Sequence, residues 1–297
     1  MATVARRPFA LFKNLNAKIA AIPMMLTAVV IFIGCTAWTV IYSFTDSRLL
    51  PSENFVGLAQ YDRLFGTTRW NVAIINLLIY GSLSLIFSFV IGFLLATLLD
   101  QKIRFENTFR TIFLYPFALS FIVTGLVWQW ILDPGLGLPK FLGELGLPGG
   151  DFALLGNKHT VIYALVLAGL WQGTGLVMVL MLAGLRGIDS EIWKAAKVDG
   201  IPAWRTYIFI VIPMMRGVFV TTLVIVASGI VRVYDLVVAM TQGGPGFASE
   251  VPAKYVYDLM FQRGNIAQGL AASTVMLVTV FIIIVPWALM EFRQKRK

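Results

Sequence analysis

Arg232 and Asp235 stand three residues apart in a stretch that is otherwise almost wholly apolar, with Tyr234 between them. At that spacing on a helix a guanidinium and a carboxylate share one face and can pair. Charged groups inside apolar stretches are expensive, so they are candidates for function. Two readings stay open: an ion pair that locks helices together, or charges at the entrance or gate of a pathway. Trp171-Gln172-Gly173 is a second constellation, an aromatic ring and an amide beside a residue with no side chain. A ring and hydrogen-bonding groups in a shielded cavity can hold a small polar solute; core packing of Trp171 is the plain alternative. Trp128 and Trp130, near the end of another apolar stretch, fit an interfacial belt. All of these groups bind and orient solutes rather than break bonds. The chain holds one His and one Cys. His159 lies in a polar connector and Cys35 in an apolar block, so no Cys/His cluster with metal spacing and no intrachain disulfide is expected. No catalytic residue and no metal site is expected either.

The elements that must position these residues are set by lipid. Of 297 residues, 58% are apolar and 13% charged, and the mean hydropathy is +0.81. A water-soluble domain is nearer half apolar and a quarter charged. The apolar residues fall in six blocks, at about 19–44, 72–99, 108–132, 160–185, 214–240 and 266–290. Each is long enough to cross about 30 Å of hydrocarbon as a helix, and apolar around its whole circumference. Arg6, Arg7, Lys13 and Lys18 precede a block too long for the apolar core of a cleavable signal. The expectation is one all-α integral membrane domain over 19–290, preceded by a short cytosolic segment 1–18 and followed by a basic cytosolic tail 291–297.

The net charge is +9. The basic residues flank the apolar blocks, so membrane orientation accounts for them and nucleic acid does not. Sixteen Lys and Arg lie on the segments that share a side with both ends of the chain. Seven lie opposite (Arg48, Arg63, Arg69, Lys140, Lys158, Lys254 and Arg263), and Arg232 is within a block. That bias places both termini and residues 186–213 in the cytosol, in agreement with an even number of spans. The opposite segments carry turn formers: Asp133-Pro134-Gly135, Pro148-Gly149-Gly150 and Gly243-Gly244-Pro245-Gly246. They are plain connectors or a surface that meets a soluble partner.

Residues 186–213 form a polar island between two apolar blocks. Asp189 and Ser190 are good N-caps, and Glu191 lies in the first turn. A helix over 191–199 then stops at Gly200, a residue suited to the position after a C-cap. Pro202 suits the first turn of a second short helix, and Pro213 can open the fifth span. Ala195 and Ala196 keep one face thin enough to enter a groove, with Ile192 and Trp193 adding apolar contact. A helix lying in the headgroups, with Trp193, Trp204, Lys194 and Arg205 as anchors, fits the same residues.

The spacing Ala195, Ala196, Asp199, Gly200, Ile210, Pro213 resembles the coupling loop of binding-protein-dependent ABC transporter permeases. In sugar permeases of the maltose and glycerol-3-phosphate type this loop begins Glu-Ala-Ala, has a Gly six positions after the Glu, and ends Ile-x-Leu-Pro. Here Lys194-Ala195-Ala196 comes first, then Gly200, then Ile210-Val211-Ile212-Pro213. The departure is Lys194 in place of Glu; Glu191 lies three residues earlier on roughly the same face. Phe55-Val56-Gly57-Leu58 with Tyr61, Leu114-Tyr115-Pro116 and Thr241-Gln242-Gly243-Gly244-Pro245 resemble further elements of the carbohydrate branch. Together these cover most of residues 20–290.

The resemblance implies a type I ABC importer permease fold with six transmembrane helices, in the bacterial inner membrane. It implies that Glu191, Lys194, Ala195, Ala196, Asp199, Gly200, Ile210 and Pro213 dock on a dimer of ATPase subunits. A second, similar permease subunit would complete the pathway, and a periplasmic or extracellular solute-binding protein would deliver a sugar. ATP and Mg would sit on the partner ATPase, since this chain carries no Gly-x-x-x-x-Gly-Lys-Ser/Thr phosphate loop. Carried across by position, the maltose-type pocket lands on Phe117, Gly169, Gln172, Gly173, Leu176, Val226, Ile230 and Val233. Several of these are Asn or Ser in the family and Gly, Val or Ile here. Either the substrate sits differently, or this subunit contributes little to its grip.

Two other classes compete. An ion-coupled secondary transporter needs an ion or proton site, for which Asp235 is the main carboxylate candidate. A membrane enzyme needs paired carboxylates or a His/Cys constellation, which one His and one Cys do not supply. Within the ABC class, a phosphorylated polyol is the alternative solute.

Overall fold

A chain surrounded by hydrocarbon must satisfy its amide groups internally, and a helix does so within one segment. The computed structural model describes residues 15–101, 103–149 and 153–294, and the regular structure among them is helical, apart from one isolated bridge between Thr45 and Phe55. The expectations for 1–14, Lys102, Gly150 and 295–297 lie outside the described residues.

Helices α1 (Leu15–Ala28) and α2 (Cys35–Tyr42) form one apolar rod through a π-helical turn at Val29–Gly34. A short α3 (Ala59–Gly66) leads into α4 (Thr68–Asp100). Next come α5 (Glu106–Ala118), α6 (Phe121–Ile131), α7 (Leu138–Glu144), α8 (Val161–Arg186) and α9 (Ser190–Val198). Then α10 (Ala203–Arg205) passes through a π-helical turn at Thr206–Val211 into α11 (Ile212–Met214). The chain continues with α12 (Arg216–Val231), α13 (Asp235–Met240), α14 (Pro252–Tyr257) and α15 (Ile266–Gln294).

Four unbroken helices are long and apolar enough to cross a membrane: Ala21–Tyr42, Thr68–Asp100, Val161–Arg186 and Ile266–Pro286. The other two expected spans are broken, so six spans hold when each bent pair counts as one. Over 108–132, α5 and α6 meet at 99°. Pro116 lacks an N–H and crowds the preceding turn. Leu119 then turns extended, and Ser120 starts α6 as a cap, its Oγ accepting from the Val123 N–H at 3.2 Å. The fifth span does not start at Pro213 as expected. Pro213 opens only the three-residue α11, Met215 breaks the helix, and the 203–214 segment meets α12 at 71°.

Helices α4 and α8 are the central pair of the bundle, with α5, α6, α12 and α13 against them. Small residues permit the close approach: a Cβ on Gly175 of α8 would come within 2.2 Å of the Phe113 carbonyl oxygen of α5. Three apolar clusters run along the bundle. One, near α9, holds Ala96, Met178, Met181, Leu185, Val211 and Met215. A second holds Tyr80, Leu165, Leu236 and Val237, and a third, under α3 and α14, holds Leu64, Trp70, Tyr255 and Ala271. The first span buries none of its apolar window inside the chain and leans on α15 through α2.

Candidate translocation site

The breaks after α5 and after α12 lie on one cavity of about 290 Å³, backed by α4 and α8. Nine of the ten pathway candidates line it: Phe117, Gln172, Gly173, Leu176, Val226, Ile230, Arg232, Val233 and Asp235. Gly169 lines it as well; a Cβ there would collide with the Tyr80 hydroxyl at 2.4 Å. Gly173 is different, since a Cβ there would meet nothing within 4 Å. Trp171 does not line the cavity. It sits exposed on another face of α8, edge-on to Trp128 at 6.1 Å. Trp128 packs inward against the Tyr80–Leu236 cluster, while Trp130 is exposed.

Gln172 is 2% exposed, and its position explains the bend between α5 and α6. Its Nε2 donates at 2.7 Å to the Leu119 carbonyl, which the break leaves without a helical partner. Its Oε1 has no hydrogen-bond partner among the described residues. The Arg232–Asp235 pair expected from a continuous helix does not form. Helix α12 ends at Val231, and Tyr234 takes φ −136° and ψ −58°, so the two charges sit on either side of a break. Arg232 Nε donates instead to the Ser228 carbonyl at 3.2 Å. Both charged groups are exposed at the cavity wall. Tyr80, Ser84, Ser88 and Phe121 also line it and were not singled out by sequence. Ser88 shows why a serine in a helix reads as neutral in sequence: its Oγ donates to the Leu85 carbonyl of its own helix at 3.2 Å. The wall is mostly apolar and aromatic, with one buried amide, a few hydroxyls and a charged rim. It can hold and pass a small solute.

The polar island folds largely as its caps dictate. Asp189 is the N-cap of α9, its Oδ1 accepting from the Glu191 N–H at 2.9 Å. Gly200 takes φ +68°, with Gly200 N–H donating to Lys197 O and Ile201 N–H to Ala196 O at 3.0 Å. This is the Schellman pattern, and it stops the helix where the sequence placed the stop. Pro202 caps the short α10. Glu191 and Lys194 pair at 2.8 Å on the exposed face, which also shows Ala195, Asp199 and a nearly bare Val198. Ala196 is buried, Ile210 half-buried and Pro213 exposed. Trp193 differs from expectation: it turns inward and meets Tyr207 edge-on at 5.4 Å, against the Leu185–Met215 cluster. An indole offered to solvent at that position would lose this burial, so the sequence's partner-facing ring is in fact an internal strut.

Two ion networks tie the ends of the bundle. Near α9, Arg186 reaches Glu106 at 2.7 Å and Asp100 at 3.6 Å, and Arg110 also meets Glu106. This joins α4, α5 and α8. At the far end Arg69 donates to both Glu250 and Asp258, and Lys254 meets Asp258 at 2.8 Å. Asn76 Nδ2 donates to the carbonyls of Glu250 and Ala248, and Arg69 lies over the rings of Phe247 and Tyr255. Burial pushes the Tyr255 hydroxyl above its ordinary range. The Lys254–Asp258 spacing was legible as an i,i+4 pair. Nothing local reveals Arg69–Glu250, which spans 181 residues.

Residues 88–295 match the family described as "Binding-protein-dependent transport system inner membrane component". The chain is 34% identical over 284 residues to a probable ABC transporter permease protein of Pyrococcus horikoshii, covering 93% of this chain and 95% of that one. It is 29% identical over 277 residues to a xylose/arabinose import permease protein of Haloferax volcanii, covering 92% and 86%. Its fold is similar to that of a bacterial ABC transporter involved in import of the acidic polysaccharide alginate, with a TM-score of 0.80, 21% identity, and coverage of 95% and 98%. The matched range holds α9 and most of the cavity lining, and the chain belongs to the family of inner-membrane permease components of binding-protein-dependent transport systems.

Proposed function

We propose that the chain is the translocation subunit of an ATP-driven sugar importer. The observation that carries this reading is a continuous mechanical path. Helix α9 presents a thin exposed face, and Trp193 braces it on Tyr207. Tyr207 belongs to the π-helical turn that feeds, through α11, into α12. The far half of α12 lines the cavity with Ile225, Val226, Gly229 and Ile230. A push on α9 therefore reaches the cavity wall through packed elements, the kind of two-state linkage that alternating access needs.

The push comes from ATP and Mg bound on a separate ATPase dimer, because this chain has no phosphate-loop sequence. Both termini and α9 face the cytosol, as the Lys and Arg bias requires. A solute-binding protein delivers solute at the opposite end. A second permease faces the open side of the cavity and supplies much of its hydrogen bonding, since this side is mainly Phe117, Phe121, Leu176, Val226, Ile230 and Val233. Aromatic faces beside a few polar groups suit a sugar ring, and the named relative that imports xylose and arabinose supports that class.

Uptake of radiolabelled sugars by proteoliposomes tests this reading. The full assembly with its binding protein is expected to concentrate at least one sugar of a mono- and disaccharide panel when ATP is enclosed. The chain reconstituted alone is expected to concentrate none. Uphill uptake by the chain alone, or uptake that survives ATP removal and stops with an uncoupler, contradicts it.

A further inference from the structure

Of the seven Lys and Arg on segments opposite α9, Arg69 and Lys254 are engaged by Glu250 and Asp258, and Lys140 lies 3.9 Å from Glu144. Arg48, Arg63 and Arg263 do something else. They converge on one cavity of about 550 Å³ between the loop after α2, helix α3 and the start of α15. Among the described residues none of the three makes an ion pair. Asp46 is the one carboxylate in the described lining, so three positive charges meet one negative. Basic residues are disfavoured on this side of a membrane protein, and like charges brought together repel. An anion among them removes both objections.

A second observation narrows the anion. Gln60 lines the same cavity and is 3% exposed. Its Nε2 donates to the Thr45 carbonyl at 3.0 Å, and its buried Oε1 has no partner among the described residues. A buried acceptor without a donor costs about 1–3 kcal/mol. A ligand that carries a hydroxyl as well as a negative charge would supply that donor where the amide turns into the cavity. Exposed apolar side chains flank the lining: Leu49, which packs on Gly264, Phe55, next in sequence to Val56, and Phe261, two residues before Arg263. The lining also sits where the first span has just ended and the last begins.

We propose that this cavity binds the phosphodiester head of an anionic, hydroxyl-bearing membrane lipid, of which phosphatidylglycerol is the simplest. The guanidiniums take the phosphate oxygens through charge-assisted, bidentate bonds. A headgroup hydroxyl donates to Gln60 Oε1, and the lipid's glycerol and upper acyl carbons cover Leu49, Phe55 and Phe261. The exposed apolar flank favours a lipid over an acidic segment of a soluble protein. The site rests on the chain being embedded in a membrane, and it stands whatever solute is carried.

The test uses the purified complete assembly in mild detergent, titrated with phosphatidylglycerol or with phosphatidylcholine of the same acyl chains, with bound lipid read by native mass spectrometry. Preferential retention of phosphatidylglycerol is expected. Joint replacement Arg48→Gln, Arg63→Gln and Arg263→Gln should weaken it at least ~10-fold, the loss expected for one charge-assisted contact or more. Gln60→Leu should weaken phosphatidylglycerol while leaving lipids without a headgroup hydroxyl unchanged. If the triple variant does not assemble, Arg263→Gln alone is read, with roughly threefold weakening expected. Equal retention of the two lipids, full displacement by inorganic phosphate, or a variant that keeps its phosphatidylglycerol overturns the proposal. If such a variant also loses stimulation by the solute-binding protein, the arginines belong to that partner.

Discussion

Arg69→Ala is expected to destabilise the protein by about 3–5 kcal/mol, the cost of leaving a buried charge without its partner. The guanidinium serves Glu250 and Asp258 together, and the Glu250 side chain is only 1% exposed. Lys254 still meets Asp258 when Arg69 is gone, so the uncompensated charge is that of Glu250. The network also fixes the loop after α13, because Asn76 holds the backbone of 248 and 250 while Ser249 Oγ donates to the Gly244 carbonyl at 2.6 Å. Arg69→Lys should recover only part of the loss, since an ammonium cannot serve two carboxylates with a planar fork. Arg69→Leu with Glu250→Leu should be milder than Arg69→Ala, because no buried charge is stranded. The measurement is the unfolding midpoint of the purified protein in detergent. An Arg69→Ala midpoint equal to that of the parent would show that the network does not hold this end of the bundle.

Gly200→Trp is expected to cut ATP-driven uptake to under a tenth while the protein still inserts and assembles. Two effects act at this position. The backbone at φ +68° is left-handed, which costs a residue with a Cβ about 1–2 kcal/mol. That strain is local, because a Cβ at Gly200 would meet nothing within 4 Å of the chain itself. The indole therefore projects away from the fold, beside the exposed face of Ala195 and Val198, and blocks whatever docks there. Gly200→Ala separates the two effects, since it carries the strain without the bulk. It should keep most of the uptake. Normal transport by Gly200→Trp, measured as initial rate in proteoliposomes, would remove α9 from the driving path.

These two sites differ in how far the sequence foretold them. The stop at Gly200 was legible because a helix end is a local event, governed by one residue able to take positive φ. The membrane spans were legible for a similar reason, as the solvent imposes one solution on every long apolar run. The broken spans were not. Pro116 hinted at a bend, yet the break at Leu119 is held by Gln172, 53 residues away. The spacing of Arg232 and Asp235 suggested a pair only if α12 continued, and it does not. The eight pocket positions carried across by family resemblance all line the cavity, as do Arg232 and Asp235, which were chosen for their charge. Trp171 was chosen for its ring, and its face of α8 could be settled only by packing. The Arg69 network joins segments far apart in the chain, beyond the reach of any local pattern.

Disulfide crosslinking from α9 tests the driving path most directly. Cys35 is the one native cysteine and is exposed, so Cys35→Ser supplies the background. Ala195→Cys, on the exposed face of α9, is then paired with single cysteines along the groove of the ATPase subunit in the assembled, transporting complex. The account predicts a crosslink to the ATPase that arrests uptake and is reversed, with uptake restored, by reduction. Sustained ATP-dependent uptake with no crosslink to any nucleotide-hydrolysing protein, from Ala195→Cys or from Val198→Cys, would contradict it.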